Sequence, residues 1–221
     1  MKRVILAGAS GMIGGLILNK CLESEFVHKV NVVVRKSLGI KHPKLNEYLV
    51  QDFKDLSGVK EAFENIDISF FCIGVYTGAV SREKFREITV DYPLHFAKMI
   101  SPNNKDHRFC LLSGAGADRS EKSKMMFAKD KGRAENLLQK LELGEFISFR
   151  PAYIYPVAAR KEPNFTYRLS RFLYKPLISK LGKNMSIKST SLADSMFKVG
   201  LNGSEKGILE NKDILEILEK A

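Results

Sequence analysis

Cysteine is scarce in this 221-residue chain, and Cys21, Cys72 and Cys110 stand singly, in or beside apolar runs, without the spacing of a disulfide pair or a zinc site. They read as buried thiols, so neither a disulfide framework nor a structural metal is expected. The four histidines, His28, His42, His95 and His107, are scattered without ligand spacing. Long apolar runs are missing too. The longest uncharged stretch, Val4 to Asn19, has sixteen residues and is interrupted by four glycines, too short and too broken to span a bilayer. Strand pattern begins at Lys2, which leaves no room for a signal peptide, and the expected location is the cytoplasm. Acidic residues are in deficit, with 25 Asp and Glu against 36 Lys and Arg and a formal charge of +11. Such a surface gathers phosphorylated ligands, nucleic acid and anionic lipid alike. Without a stacking-aromatic motif, zinc spacing or recognition helix, the charge alone does not argue for nucleic acid.

The excess of cations is concentrated. Between Arg160 and Lys188, eight basic residues face the single acid Glu162, interleaved with Phe165, Tyr167, Phe172, Tyr174, Leu177 and Leu181. The pattern is that of an amphipathic basic helix, suited to a membrane surface or a protein partner, or to the flank of a substrate cleft with its apolar side on the core. The second reading is favoured. Pro156, Pro163 and Pro176 interrupt the segment from Tyr153 to Lys188, and 151–190 is the expected substrate-side lid of a single domain over 1–221.

Short β-rich runs alternate with helical periodicity along most of the chain. Arg3–Ala7 precedes a helix over Met12–Glu23; strands follow at Val30–Arg35 and Tyr48–Gln51, with a helix over Val59–Asn65. Ile68–Ile73 precedes a helix over Arg82–Ile100, Arg108–Ser113 one over Lys124–Leu143, and Phe146–Phe149 is a sixth strand. Strand and helix repeated in this way predict an α/β fold of the Rossmann type, a doubly wound parallel sheet covered on both faces. Beyond it come a helix over Ser189–Leu201, a short strand at Ile208–Leu209 and a last helix capped by Asn211 that buries Ile214, Leu215 and Leu218.

The first strand runs into Gly8-Ala9-Ser10-Gly11-Met12-Ile13-Gly14, three glycines spaced three apart at the mouth of a helix. Glycines there let backbone approach a diphosphate closely, and the helix start offers unpaired N–H groups and the positive end of its dipole. Arg35 stands 21 residues past the last of them, at the end of the second strand. An acid at that place binds the ribose hydroxyls of NAD; an arginine makes forked, charge-assisted bonds to a 2′-phosphate, with Lys36 adding a point charge. NADP(H) is therefore favoured over NAD(H).

With Asp52-Phe53 after the third strand, Cys72-Ile73-Gly74 after the fourth, Ser113-Gly114 after the fifth and Arg150-Pro151-Ala152-Tyr153-Ile154-Tyr155-Pro156 after the sixth, the chain resembles the short-chain dehydrogenase/reductase superfamily. The likeness is to its extended and atypical, epimerase-like members, over roughly residues 2–156. It implies a cofactor site made of Gly8, Ser10, Gly11, Met12, Ile13 and Gly14 at the diphosphate and Asp52 and Phe53 at the adenine. Cys72, Ile73 and Gly74 would form the floor, joined by Lys131, Pro151, Tyr153 and Ile154. Members of the superfamily use a Tyr-x-x-x-Lys pair on the helix after the fifth strand, with a serine near that strand's end. Here the register Lys131-Gly132-x-x-Glu135 matches Lys131 to the lysine and Ser113 to the serine, and places Phe127 at the tyrosine.

A phenyl ring has no ionisable proton, so the usual acid–base step has no route through Phe127. Two functions stay open. One is an oxidoreductase of non-standard mechanism acting on an unknown small molecule, with Ser113 and Lys131 as its catalytic residues. The other is a catalytically silent NADP(H)-binding regulator or assembly factor. The helices over Arg82–Ile100 and Lys124–Leu143 are those by which relatives dimerise, so a homodimer is an expectation by analogy.

Overall fold

Alternation of side chains along the first strand sets the layers: Val4 and Leu6 face one side, Ile5 and Ala7 the other, and all four are buried. The structure, a computed structural model, describes residues 1–100, 106–158 and 185–219. Its strands are β1 (Lys2–Ala7), β2 (Val27–Val34), β3 (Leu45–Leu49), β4 (Ile68–Phe71), β5 (Arg108–Leu112), β6 (Glu145–Arg150), β7 (Tyr153–Tyr155), β8 (Ser186–Lys188) and β9 (Ile208–Glu210). The helices are α1 (Met12–Glu23), α2 (Arg82–Arg86), α3 (Tyr92–Lys98), α4 (Met126–Gln139), α5 (Ser189–Asn202) and α6 (Asn211–Glu219). Seven strands form one sheet in the order β3-β2-β1-β4-β5-β6-β9, every neighbouring pair parallel. The direction of winding reverses between β1 and β4, which opens a crevice at the carboxyl ends of those strands.

Each face of the sheet is covered. Ile13, Ile17 and Cys21 of α1, with Leu192 and Met196 of α5 and Ile214 of α6, pack against Val4, Leu6, Val30, Val32 and Phe70. The opposite face buries Phe63, Phe96 and Leu138 against Ile5, Val33, Phe71 and Phe109. There Phe96 meets Phe63, Phe71 and Phe109 edge-on, at centroid distances of 4.9, 5.5 and 6.2 Å. Full burial of each such side chain stabilises the fold by about 1.5–3 kcal/mol, and this covering makes a sheet of nearly continuous apolar strands stable.

Several boundaries differ from the sequence reading for identifiable reasons. β3 lies three residues earlier than expected, because pairing of Val30 with Leu45 sets its register, and its half-exposed edge position leaves no clear alternation. The expected helix over Arg82–Ile100 is α2, a single π turn at Glu87–Asp91, and α3. Pro93, in the first turn of α3, has no N–H for the carbonyl of Thr89, and the wider turn accommodates the missing bond. The helix expected at Val59–Asn65 is a 3₁₀ helix over Ser57–Phe63. Asn211 is the first residue of α6 and clamps two other segments: its Oδ1 accepts Ala152 N–H at 2.9 Å and its Nδ2 donates to the Ser186 carbonyl at 3.0 Å. The N–H of Glu210 donates instead to Asp213. Ile214 is buried in α6, whereas Leu215 and Leu218 are half-buried. Within the expected lid of 151–190, β7 and β8 pair in parallel, while 159–184, most of the basic stretch 160–188, lies outside the described residues.

Cys21 and Cys110 are buried and Cys72 half-buried, all as free thiols. Among the described residues no group of three or more His, Cys, Asp or Glu is placed to hold a metal, and no helix is long and apolar enough to cross a membrane.

Candidate functional site

The site grows from the end of β1. Gly8 sits at φ +90°, a conformation side chains disfavour, and a Cβ on it would stand 2.8 Å from the Cys72 carbonyl carbon. A Cβ on Gly14 would stand 2.1 Å from the Gly8 carbonyl oxygen. The missing side chains thus let α1 press against the turn. Gly11 precedes the helix with extended backbone, no side chain caps it, and the first turn contains no acid. The positive end of α1 is therefore not neutralised by its own sequence.

Above this turn opens a cleft of about 430 Å³. Four strand ends and two helices contribute to it: Gly11 after β1, with Met12 and Ile13 at the start of α1; residues 72–77 after β4; Leu112, Ser113 and Gly114 at β5; Phe127 and Lys131 on α4; and residues 151–154 after β6. The fold thus brings Cys72, Ile73, Gly74, Pro151, Tyr153 and Ile154 together with Ser113, Phe127 and Lys131. Reading the sequence for motifs missed Val75, Thr77 and Leu112. Their one signal is position, each lying at or just past the carboxyl end of a parallel strand, where ligands bind in such sheets.

Other expected residues lie outside the cleft lining. Gly8 and Gly14 form the turn behind it, and Ser10 faces a neighbouring groove along α1. Arg35 and Lys36 are exposed just past β2, and neither makes an ion pair with a described residue. Asp52 accepts the Lys54 N–H at 3.1 Å. Burial pushes its carboxyl up, but bonds from Tyr92 and Lys54 outweigh this and hold it below the usual range. Phe53 is a core residue, 3% exposed, with its ring 5.6 Å from that of Tyr92, rather than a wall open to a ligand.

On α4, Phe127 and Lys131 are one turn apart and share the cleft face. Lys131 Nζ donates to the Ser113 carbonyl at 2.8 Å and lies 5.4 Å from the centroid of the Phe127 ring. Burial draws its pKa down to about 8, against the opposing charge of Glu135. The hydroxyl of Ser113, expected to face a substrate oxygen, donates to Glu135 Oε1 at 2.7 Å.

Glu135 is fully buried, and every bond it accepts is accounted for by neighbouring strands. Its Oε1 also takes Ser148 Oγ–H at 2.8 Å and Arg150 Nε–H at 3.1 Å, and Oε2 takes Arg150 Nη2 at 2.5 Å. Arg150 Nη1 reaches on to Glu210 at 2.9 Å, and its bonds to Glu135 hold the guanidinium above its ordinary range. This network ties α4 to β5, β6 and the end of β9. The Lys-Gly-x-x-Glu register was its only sequence signal, since three of the partners are remote in the chain.

The model of a family described as NAD(P)H-binding matches residues 8–196. Protein HTATIP2 of Rattus norvegicus is 27% identical over 220 residues, which cover 98% of this chain and 89% of that protein. Among solved structures, the Bordetella bronchiseptica enzyme WbmF in complex with NAD+ is similar with a TM-score of 0.69 and 15% identity, over 99% of this chain and 78% of its own. Gre2 from Candida albicans in complex with NADPH gives a TM-score of 0.70 and 14% identity, over 95% and 78%. These two likenesses are of fold.

Proposed function

Since the chain belongs to the NAD(P)H-binding family, within the short-chain dehydrogenase/reductase superfamily, we propose that it is an NADP(H)-dependent oxidoreductase acting on a small carbonyl compound or activated double bond. The observation that carries this reading is that the uncapped start of α1 and the ammonium of Lys131 face one cleft. The residues fit the cofactor: the Gly8–Gly14 contact leaves backbone where any side chain would intrude, and Arg35 is exposed just past the end of β2.

When bound, the dinucleotide supplies a hydride. Gly11, Met12 and Ile13 hold the diphosphate through the helix start. Arg35 and Lys36 hold the 2′-phosphate, the arginine bonds contributing about 1.5–3 kcal/mol, or roughly ten- to a hundredfold in affinity. Ile73, Gly74, Pro151 and Ile154 wall the nicotinamide half, and Lys131 holds the ribose beside it.

A second reading, an NADP(H)-binding regulator or assembly factor without turnover, is supported by Phe127, the residue that the resemblance matches to the usual proton donor. Oxidation of NADPH in the presence of carbonyl acceptors decides between them. The reductase reading expects consumption that is lost in Lys131→Met; binding of NADPH without consumption supports the regulator.

A further inference from the structure

We propose that Lys131 gives the proton to the substrate's carbonyl oxygen, the duty for which Phe127 has no atom; the inference rests on the reductase reading above. Phe127 is one turn before Lys131 and lines the same cleft, at the place that the resemblance assigns to the superfamily's tyrosine, and its ring has no proton to give. The nearby hydroxyl is engaged elsewhere. An ionised carboxylate only accepts, so the Ser113 proton points at Glu135, 2.7 Å away, and not into the cleft. Lys131 itself has donors to spare. Its ammonium carries three, of which one goes to the Ser113 carbonyl at 2.8 Å while the Phe127 ring lies 5.4 Å from Nζ.

The charged groups around it are matched to one another. Glu135, one turn further along α4, is held by Arg150 of β6, and Asp130, the preceding residue, is held by the two terminal nitrogens, Nη1 and Nη2, of Arg82 of α2. The phenols of Tyr76 and Tyr153 also line the cleft. Burial places Lys131 near pH 8, where an ammonium is protonated at neutrality yet releases its proton readily, as an efficient general acid must.

The step balances. The bound dinucleotide would supply a hydride to the carbonyl carbon, the π pair would move to oxygen, and that oxygen would take its proton from Lys131 Nζ. The products are the alcohol, the oxidised dinucleotide and a neutral amine that regains its proton from solvent.

The test combines three measurements on the full chain. The native protein and Lys131→Arg are titrated with NADPH, and turnover of benzaldehyde, hexanal and acetophenone is followed from pH 6 to 10. The Lys131 ε-carbon resonance is titrated in the cofactor-free native protein. Arginine keeps a cation for the ribose but does not release a proton in this range. The proposal expects Lys131→Arg to bind NADPH with near-native affinity and to lose at least about a hundredfold in kcat, the ordinary contribution of a general acid. It expects native kcat to fall above the pH at which the Lys131 resonance titrates. Native-like kcat in Lys131→Arg, a kcat flat across that pH, or disappearance of the alkaline fall in Tyr76→Phe or Tyr153→Phe would overturn it. A native protein that binds NADPH but reduces none of the three carbonyls also overturns it and leaves cofactor binding standing. Failure to bind NADPH removes the reductase reading itself.

Discussion

The carbonyl oxygen of Gly8 lies 2.1 Å from the place a Cβ on Gly14 would occupy. No rotamer relieves that overlap, because both partners are backbone. Gly14→Ala is expected to push α1 off the turn, costing about 1–3 kcal/mol of stability in urea unfolding, with NADPH affinity reduced at least tenfold. Gly58→Ala, where an added methyl has nothing within 4 Å, is the control and should stay within about 0.5 kcal/mol of native. Equal behaviour of the two variants would contradict the close approach.

Glu135→Ala leaves the guanidinium of Arg150 and the hydroxyls of Ser113 and Ser148 without their shared acceptor. Breaking a buried pair from one side costs about 3–5 kcal/mol. Chemical denaturation measures it, and a loss below 1 kcal/mol would mean that the network is not held as described.

Lys131→Met tests the desolvated ammonium by its pH dependence. Below pH 8 the lysine is charged both folded and unfolded, so its burial cost is fully present and methionine is the more favourable residue. Between pH 8 and the ordinary lysine range the folded state gives up its proton while the unfolded chain keeps it. The native protein therefore gains stability with rising pH relative to Lys131→Met. The expected difference at pH 7 is on the order of 1 kcal/mol in favour of methionine, shrinking by pH 10. A difference that is constant with pH contradicts the lowered pKa.

His107 is buried, with Nδ1 3.1 Å from the Ile66 carbonyl and Nε2 without a partner among the described residues. Burial holds its pKa below the ordinary value, so as pH falls through about 6.5 the unfolded chain takes up a proton that the folded state refuses. Stability should drop over this window with a slope of up to about 1.4 kcal/mol per pH unit, and His107→Gln should flatten it. Identical slopes in the two proteins would exclude His107 as the cause.

What was legible in the sequence follows from periodicity and from local chemistry. Val4 to Ala7 and Phe146 to Phe149 announce strands covered on both sides, and the glycine triplet announces its turn, because each signal lies within a few consecutive residues. β3 was placed too late because an edge strand with half-exposed residues on both faces has no alternation to read. The pairing of Tyr153–Tyr155 with Ser186–Lys188 joins three-residue strands across some thirty residues, and no local pattern encodes such a register. Glu135 was visible as part of a motif, but its bond to Ser113 is a product of how α4 lies over β5. The same contact redirected the serine away from the substrate role expected of it.

In the proposed function the cleft holds a phosphorylated dinucleotide whose 2′-phosphate is read by Arg35, exposed just past β2. Calorimetric titration of the native protein and Arg35→Ala with NADPH and NADH tests it most directly. The prediction is a native preference for NADPH of about ten- to a hundredfold that collapses in Arg35→Ala while NADH affinity is unchanged. Equal native affinity for the two would contradict the arginine's role, and binding of neither would contradict the cleft.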